Sequence, residues 1–182
     1  ASTYSLGVGN RSMLLGAEIQ NPVCKEDSIK LTFKATNLDG QPVSVEGNYK
    51  LYPVVGGAKS EEVMKGTPAY TGTFVSNKET LLPGWTSVPS GEYLLVMSAK
   101  DDQGREVTGE EEVILFSIKD KRPPVDKAIW YYAENTSFDV AHPAVFYFGT
   151  SKKDAYVMMN LFSGNRMLES KVLRLSDSIE RF

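Results

Sequence analysis

The amino-acid sequence predicts an all-β chain: an immunoglobulin-like antiparallel β-sandwich followed by a second, partial β-sandwich. Three observations carry this. The helical period is almost absent from the sequence. Short stretches of alternating apolar and polar residues recur instead, separated by Gly, Pro, Asn and Asp. A charged double-proline stretch, Lys121-Arg122-Pro123-Pro124, then divides a longer block of such stretches from a shorter one.

Strands are expected in the first block at residues 4–8, 13–19, 29–36, 47–54, 69–76, 93–100 and 111–119. Seven strands in about 120 residues is the number an immunoglobulin-like sandwich needs. Ile29, Leu31, Phe33 and Ala35 alternate with polar residues and face the core, as do Tyr93, Leu95 and Met97. Asp39-Gly40 and Gln103-Gly104 supply residues that tolerate positive φ between paired strands, and Gly56-Gly57 does the same for a longer connection. Pro83-Gly84 and Ser90-Gly91 bracket Trp85, which marks a loop that tucks an aromatic over the core. The domain reading is therefore 1–120 for the first sandwich, 121–127 for a Pro-rich linker and 128–182 for the second, truncated β domain. Strands there are expected at 128–132, 144–148, 155–161 and 167–175.

Composition bounds the function. The 182 residues can bury a core without covalent staples. A net charge of −3 with interspersed signs offers no electrostatic footprint for nucleic acid. The longest apolar runs are too short to span a bilayer as helices. Cys24 is the sole cysteine, so an intrachain disulfide and a cysteine-based zinc site are both ruled out. The start, Ala-Ser-Thr-Tyr, has no basic n-region and no apolar h-region, so either the protein is not exported or a targeting segment has been cut from it, and the end reads as if cut within a folded unit.

Candidate chemistry is sparse. His142 is the only histidine, and no His-Glu-x-x-His or Gly-x-Ser-x-Gly pattern exists to build a metal or serine site. Asp101-Asp102 and Glu110-Glu111-Glu112 read as a solvated hairpin loop and the opening of a strand. Asn37, Asp39, Asp101 and Asp102 are loop oxygen donors without the twelve-residue calcium loop. Sequons stand at Asn10 and Asn135 and matter only in a eukaryotic secretory setting. The aromatics Trp85 and Trp130 are the candidate ligand contacts. No catalytic residue, cofactor or metal is assigned.

Three segments resemble a known family. "SIKLTFKATNLDGQPVSVEGNYKLYPV" resembles the strand–turn–strand in which macroglobulin domains carry Asp-Gly-x-Pro-Val. "WTSVPSGEYLLVMSAKDDQGREV" resembles their Pro-Ser-Gly-x-Tyr strand and Asp-x-x-Gly turn. "IWYYAENTSFDVAHPAVFYFGTSKKDAYVMMNLFSGNRMLESKVLRLSDSI" resembles the start of the next such domain in bacterial alpha-2-macroglobulin-like proteins, particularly those of Bacteroidetes. The resemblance spans residues 25–182. It implies a fragment of a long, exported, lipid-anchored periplasmic protein that traps proteases after cleavage of a bait segment. Cys24 is followed by Lys25, Glu26 and Asp27, so the Cys-x-x-Gln thioester of many members does not carry over.

The expectation is thus a non-enzyme: structural and interaction modules whose partners are neighbouring domains of the parent chain and, through the parent, proteases. The second reading is a carbohydrate-binding or surface-adhesion sandwich built on Trp85 and Trp130. A glycosidase comes third and would need two carboxylates facing across a cleft. Phe146, Phe148, Val157, Met159 and Leu173 are too many apolar residues for a solvated sheet. The second block is therefore expected to pack against the first or to form a homodimer with a second copy.

Overall fold

The computed structural model describes residues 12–134, 139 and 141–182. The strand expected at 4–8 and the sequons at Asn10 and Asn135 lie outside the described residues. The fold is all-β. Its strands are β1 (Met13–Glu18), β2 (Val23–Cys24), β3 (Lys30–Asn37), β4 (Glu46–Pro53), β5 (Tyr70–Val75), β6 (Glu79–Leu81), β7 (Gly91–Lys100), β8 (Glu106–Phe116), β9 (Trp130–Ala133), β10 (Phe146–Thr150), β11 (Ala155–Ser163), β12 (Arg166–Leu175) and β13 (Ser178–Arg181). One helical turn, α1 (Ser60–Val63), and a 3-10 turn over Pro83–Ser87 interrupt them.

The chain divides into two units. Unit 1 takes in Ser28–Val88 and Tyr93–Val113 together with the segment ending at Asn21; unit 2 takes in Pro22–Asp27, Pro89–Glu92 and Ile114–Phe182. The boundary expected at residues 121–127 is therefore displaced. That stretch is not a free linker: Val125 is buried in the core of unit 2, the Lys121 carbonyl accepts from Ile179 N, and the Lys127 carbonyl accepts from Ser151 N. Prolines make it extended, but extended chain also docks well beside a sheet.

Unit 1 is an immunoglobulin-like antiparallel sandwich. One sheet runs β1-β3-β6, and the other includes β8-β7-β4-β5 in that order. The alternation in β3 buries Leu31, Phe33 and Ala35, and Ile29 just before it is buried too; β7 buries Tyr93, Leu95 and Met97. All are as the sequence pattern requires. Phe33 of one sheet stacks on Phe74 and Tyr49 of the other, with ring centroids 4.5 and 5.3 Å apart. Ring stacking at such distances adds to plain burial. Gly72 makes room for this packing: a Cβ there would lie 2.5 Å from Tyr49 ring atoms. On the far side of the sandwich β1 comes close to β8, and a Cβ on Gly109 would meet the Leu15 carbonyl oxygen at 2.4 Å.

The turn at Asp39-Gly40 only reverses the chain. Gly40 has φ +79°, Asn37 Oδ1 accepts from the amides of Asp39 and Gln41, and Val43 N donates to the Ala35 carbonyl. Ser76 and Asn77 then clamp the following segment through the Val43 carbonyl.

Unit 2 holds a three-stranded antiparallel sheet, β13-β10-β9, and a separate two-stranded hairpin, β11-β12. Here β2 pairs in parallel with the end of β8, Val23 beside Leu115 and Cys24 beside Phe116. The core joins Cys24, Ile114, Phe116, Val125, Trp130 and Tyr147.

Candidate interaction surface

The two tryptophans expected to contact ligand are core residues. Trp85 is 0% exposed and lies edge-on to Tyr49 at 6.1 Å. The single turn begun by Pro83-Gly84 swings its indole inward. Trp130 is 5% exposed and packs edge-on to Phe116 at 5.2 Å. Strand alternation puts Trp130 on the covered face of its sheet and leaves Tyr131 outside, stacked on Phe148 at 6.2 Å.

The titratable residues serve the fold. Asp101 is a correction to the sequence reading, because it is buried rather than solvated. It accepts from the amides of Gln103 and Arg105, from Arg105 Nε and from Ser12 Oγ, each at 2.9 Å. Burial opposes its charge, but these donors, the Arg105 amide foremost, hold its carboxyl below the usual range. Glu110 and Glu112 are exposed, as strand alternation requires. His142 Nδ1 sits 3.2 Å from Asp139 Oδ1, which also accepts from the amides of Ala141 and His142. In unit 2, Glu26 accepts from the Ser117 hydroxyl at 2.5 Å, the Ile118 amide at 3.1 Å and the Cys24 thiol at 3.4 Å. Burial pushes the thiol up to about 11, with Asp27 and Glu26 adding to the effect. A thiol so raised is a poor nucleophile at neutral pH. Among the described residues no group of three or more His, Cys, Asp or Glu is placed to hold a metal.

Unit 1 has a cleft of about 620 Å³, lined in part by Asn48, Thr73, Lys78 and Glu79. Its rim mixes charges, and Glu79 is engaged by Lys30 at 3.0 Å.

The surface feature that stands out is the β11-β12 hairpin of unit 2. Its strands pair from Ala155–Leu175 to Ser163–Arg166, with an irregularity at Leu161/Phe162. Leu173 and Leu175 on its inner face are buried, and Lys171 Nζ lies 5.3 Å over the Phe182 ring. The outer face is open: Tyr156 and Met158 are each 68% exposed and Val172 is 61% exposed. Sequence reasoning singled out Val157, Met159 and Leu173 and missed the outer row. The signal was present, because Tyr156 and Met158 interleave with Val157 and Met159, and a strand apolar on both parities is suited to cover on both faces.

No family model and no curated protein matches the chain. Among solved structures, the native conformation of E. coli alpha-2-macroglobulin, determined by cryo-EM, is similar to it, with 13% sequence identity and a TM-score of 0.42. The likeness covers 94% of this chain, which spans 14% of that one.

Proposed function

We propose that the chain supplies non-catalytic structural and interaction modules of a larger macroglobulin-like protein of the Bacteroidetes type, exported and lipid-anchored, that traps proteases. The observation that carries this reading is how the motif residues are used. Asp39, Gly40, Pro42 and Val43 of the Asp-Gly-x-Pro-Val segment all belong to the β3-to-β4 connection, where Pro42 bridges Thr36 and Val43 pairs with Ala35. Asp101 of the second motif ties its own turn. The residues that carry the resemblance are scaffold, and in a trap the scaffold positions other parts. Partners on this reading are neighbouring domains of the parent chain and, through the parent, proteases. The carbohydrate-binding alternative loses its carriers, since Trp85 and Trp130 present no ring face.

The test uses the parent protein and a protease. A trap shields large substrates from the enclosed protease while leaving cleavage of small peptides intact. Loss of casein cleavage with retained peptide cleavage is the expected pattern. Equal cleavage of both substrates, or hydrolysis of substrate by residues 1–182 alone, would remove the proposal.

A further inference from the structure

We infer that a second copy of this chain covers the outer face of the β11-β12 hairpin, the two hairpins packing face to face about a twofold axis. Seven of the thirteen exposed large hydrophobic side chains among the described residues lie on this one hairpin. Single exposed apolar residues need no explanation, but a contiguous group marks an interface. Cross-strand pairing shows which share a face: Tyr156 opposes Arg174, Met158 opposes Val172, Asn160 opposes Ser170 and Phe162 opposes Met167. Tyr156, Met158, Phe162, Met167 and Val172 thus form one apolar surface.

Its polar members are already satisfied. The Ser170 hydroxyl donates to Asn160 Oδ1 at 2.8 Å. Arg174, the only charged residue in those four pairs, is held by Asp154 at 2.8 Å and lies over the Tyr156 ring. Arg174 sits in the pair at one end of the row, where its 65% exposed side chain can stay at the solvated rim of a contact centred on Met158 and Val172, so no ion pair has to be buried. The contact is self-complementary, as a twofold requires, and it closes on itself.

Area distinguishes this arrangement. Tyr156 and Phe162 can each present roughly 150–250 Å², and the two methionines and the valine are taken near the lower end of that range. At the observed exposures of 54–68% the five offer on the order of 600 Å² per copy. Two copies then bury about 1,200 Å², the lower end for a specific interface. Edge-to-edge pairing of the hairpins would satisfy backbone groups but leave the apolar face in water. The inner face of the hairpin is already covered at Leu173 and Leu175, and a facing hairpin gives the outer face its layer.

Sedimentation velocity and light scattering on this chain decide the matter. Weak and transient contacts cluster at this small end of interface size, so protein is taken to about 100 μM, well above a micromolar dissociation constant. A concentration-dependent shift towards twice the monomer mass is expected. Met158→Glu with Val172→Glu places like charges across the twofold and should abolish that shift, while Leu14→Glu, an exposed position of unit 1, should leave it unchanged. Far-UV circular dichroism checks folding; if the double variant fails it, Met158→Ser alone should weaken self-association at least tenfold. A chain that stays monomeric at the highest concentration overturns the inference and leaves the face to another occupant. A dimer that persists in the face variants also overturns it, pointing to edge pairing or to another surface.

Discussion

Replacing Phe33 by alanine tests the packing of unit 1 at its centre. Phe33 is fully buried and stacks on Phe74 and Tyr49. An aromatic side chain buries roughly 200 Å², worth about 5 kcal/mol at 25 cal/mol per Å². Alanine retains about a third of that by the same scale. The two ring contacts add about 0.5–1.5 kcal/mol each beyond area. The expected loss is therefore about 4–6 kcal/mol, at or just above the top of the range for buried aromatics. Because the chain has two units, a single two-state melt is not assured. Fluorescence separates them: Trp85 reports unit 1 and Trp130 reports unit 2, so a Trp130→Phe background isolates the transition of interest. A loss of this size approaches the whole stability of a small domain, and Phe33→Leu, expected to cost about 1–1.5 kcal/mol, keeps the measurement within range. A urea midpoint unchanged in both variants would refute the stacked core and the inward placement of Phe33 in β3.

Gly109→Ala should lower the stability of unit 1 by about 1–3 kcal/mol, because the new methyl meets the Leu15 carbonyl oxygen at 2.4 Å; an unchanged urea midpoint would contradict the close approach of β1 and β8. Cys24 should resist iodoacetamide at pH 8 in the native state and react on unfolding, since its thiol is raised to about 11. A raised pKa contributes stability below the unfolded value of about 8.5 that is lost as pH rises towards 11, and Cys24→Ser should flatten that alkaline decline. Asp101 runs the other way. Its folded pKa is depressed, so its contribution is present above the ordinary Asp value of about 3.9 and is lost as pH falls below it. Asp101→Asn should reduce thermal stability at pH 7 and remove part of the acid dependence; identical acid titrations would show that the turn does not rely on the charge.

Much of unit 1 was legible because its signals are local. Asp39-Gly40 and Gln103-Gly104 announce their turns, and the period of two in β3 and β7 fixes which side chains face inward. What stayed hidden depends on partners distant in sequence. Val23–Cys24 is too short to show a period and exists as a strand only because Leu115–Phe116 lies beside it. Residues 121–127 read as a linker from their prolines, yet Val125 finds a core. Asp101 read as solvated from its neighbours Asp102 and Gln103, while its donors include Ser12, seven strands earlier in the chain. Trp130 and Tyr131 differ only in strand parity, and parity becomes a face once β10 has paired with β9.

The fit of Tyr49 against Gly72 also bears on how this sequence can diverge. Thr71 and Thr73 flank that glycine on an exposed face, so a deep mutational scan should find them permissive to most polar and β-branched residues. Between them, any side chain at position 72 would displace the Tyr49 ring, and compensation would need a simultaneous change to a smaller residue at 49. The pair should therefore drift together or not at all, and a library varying both positions should yield survivors in which the combined volume is conserved.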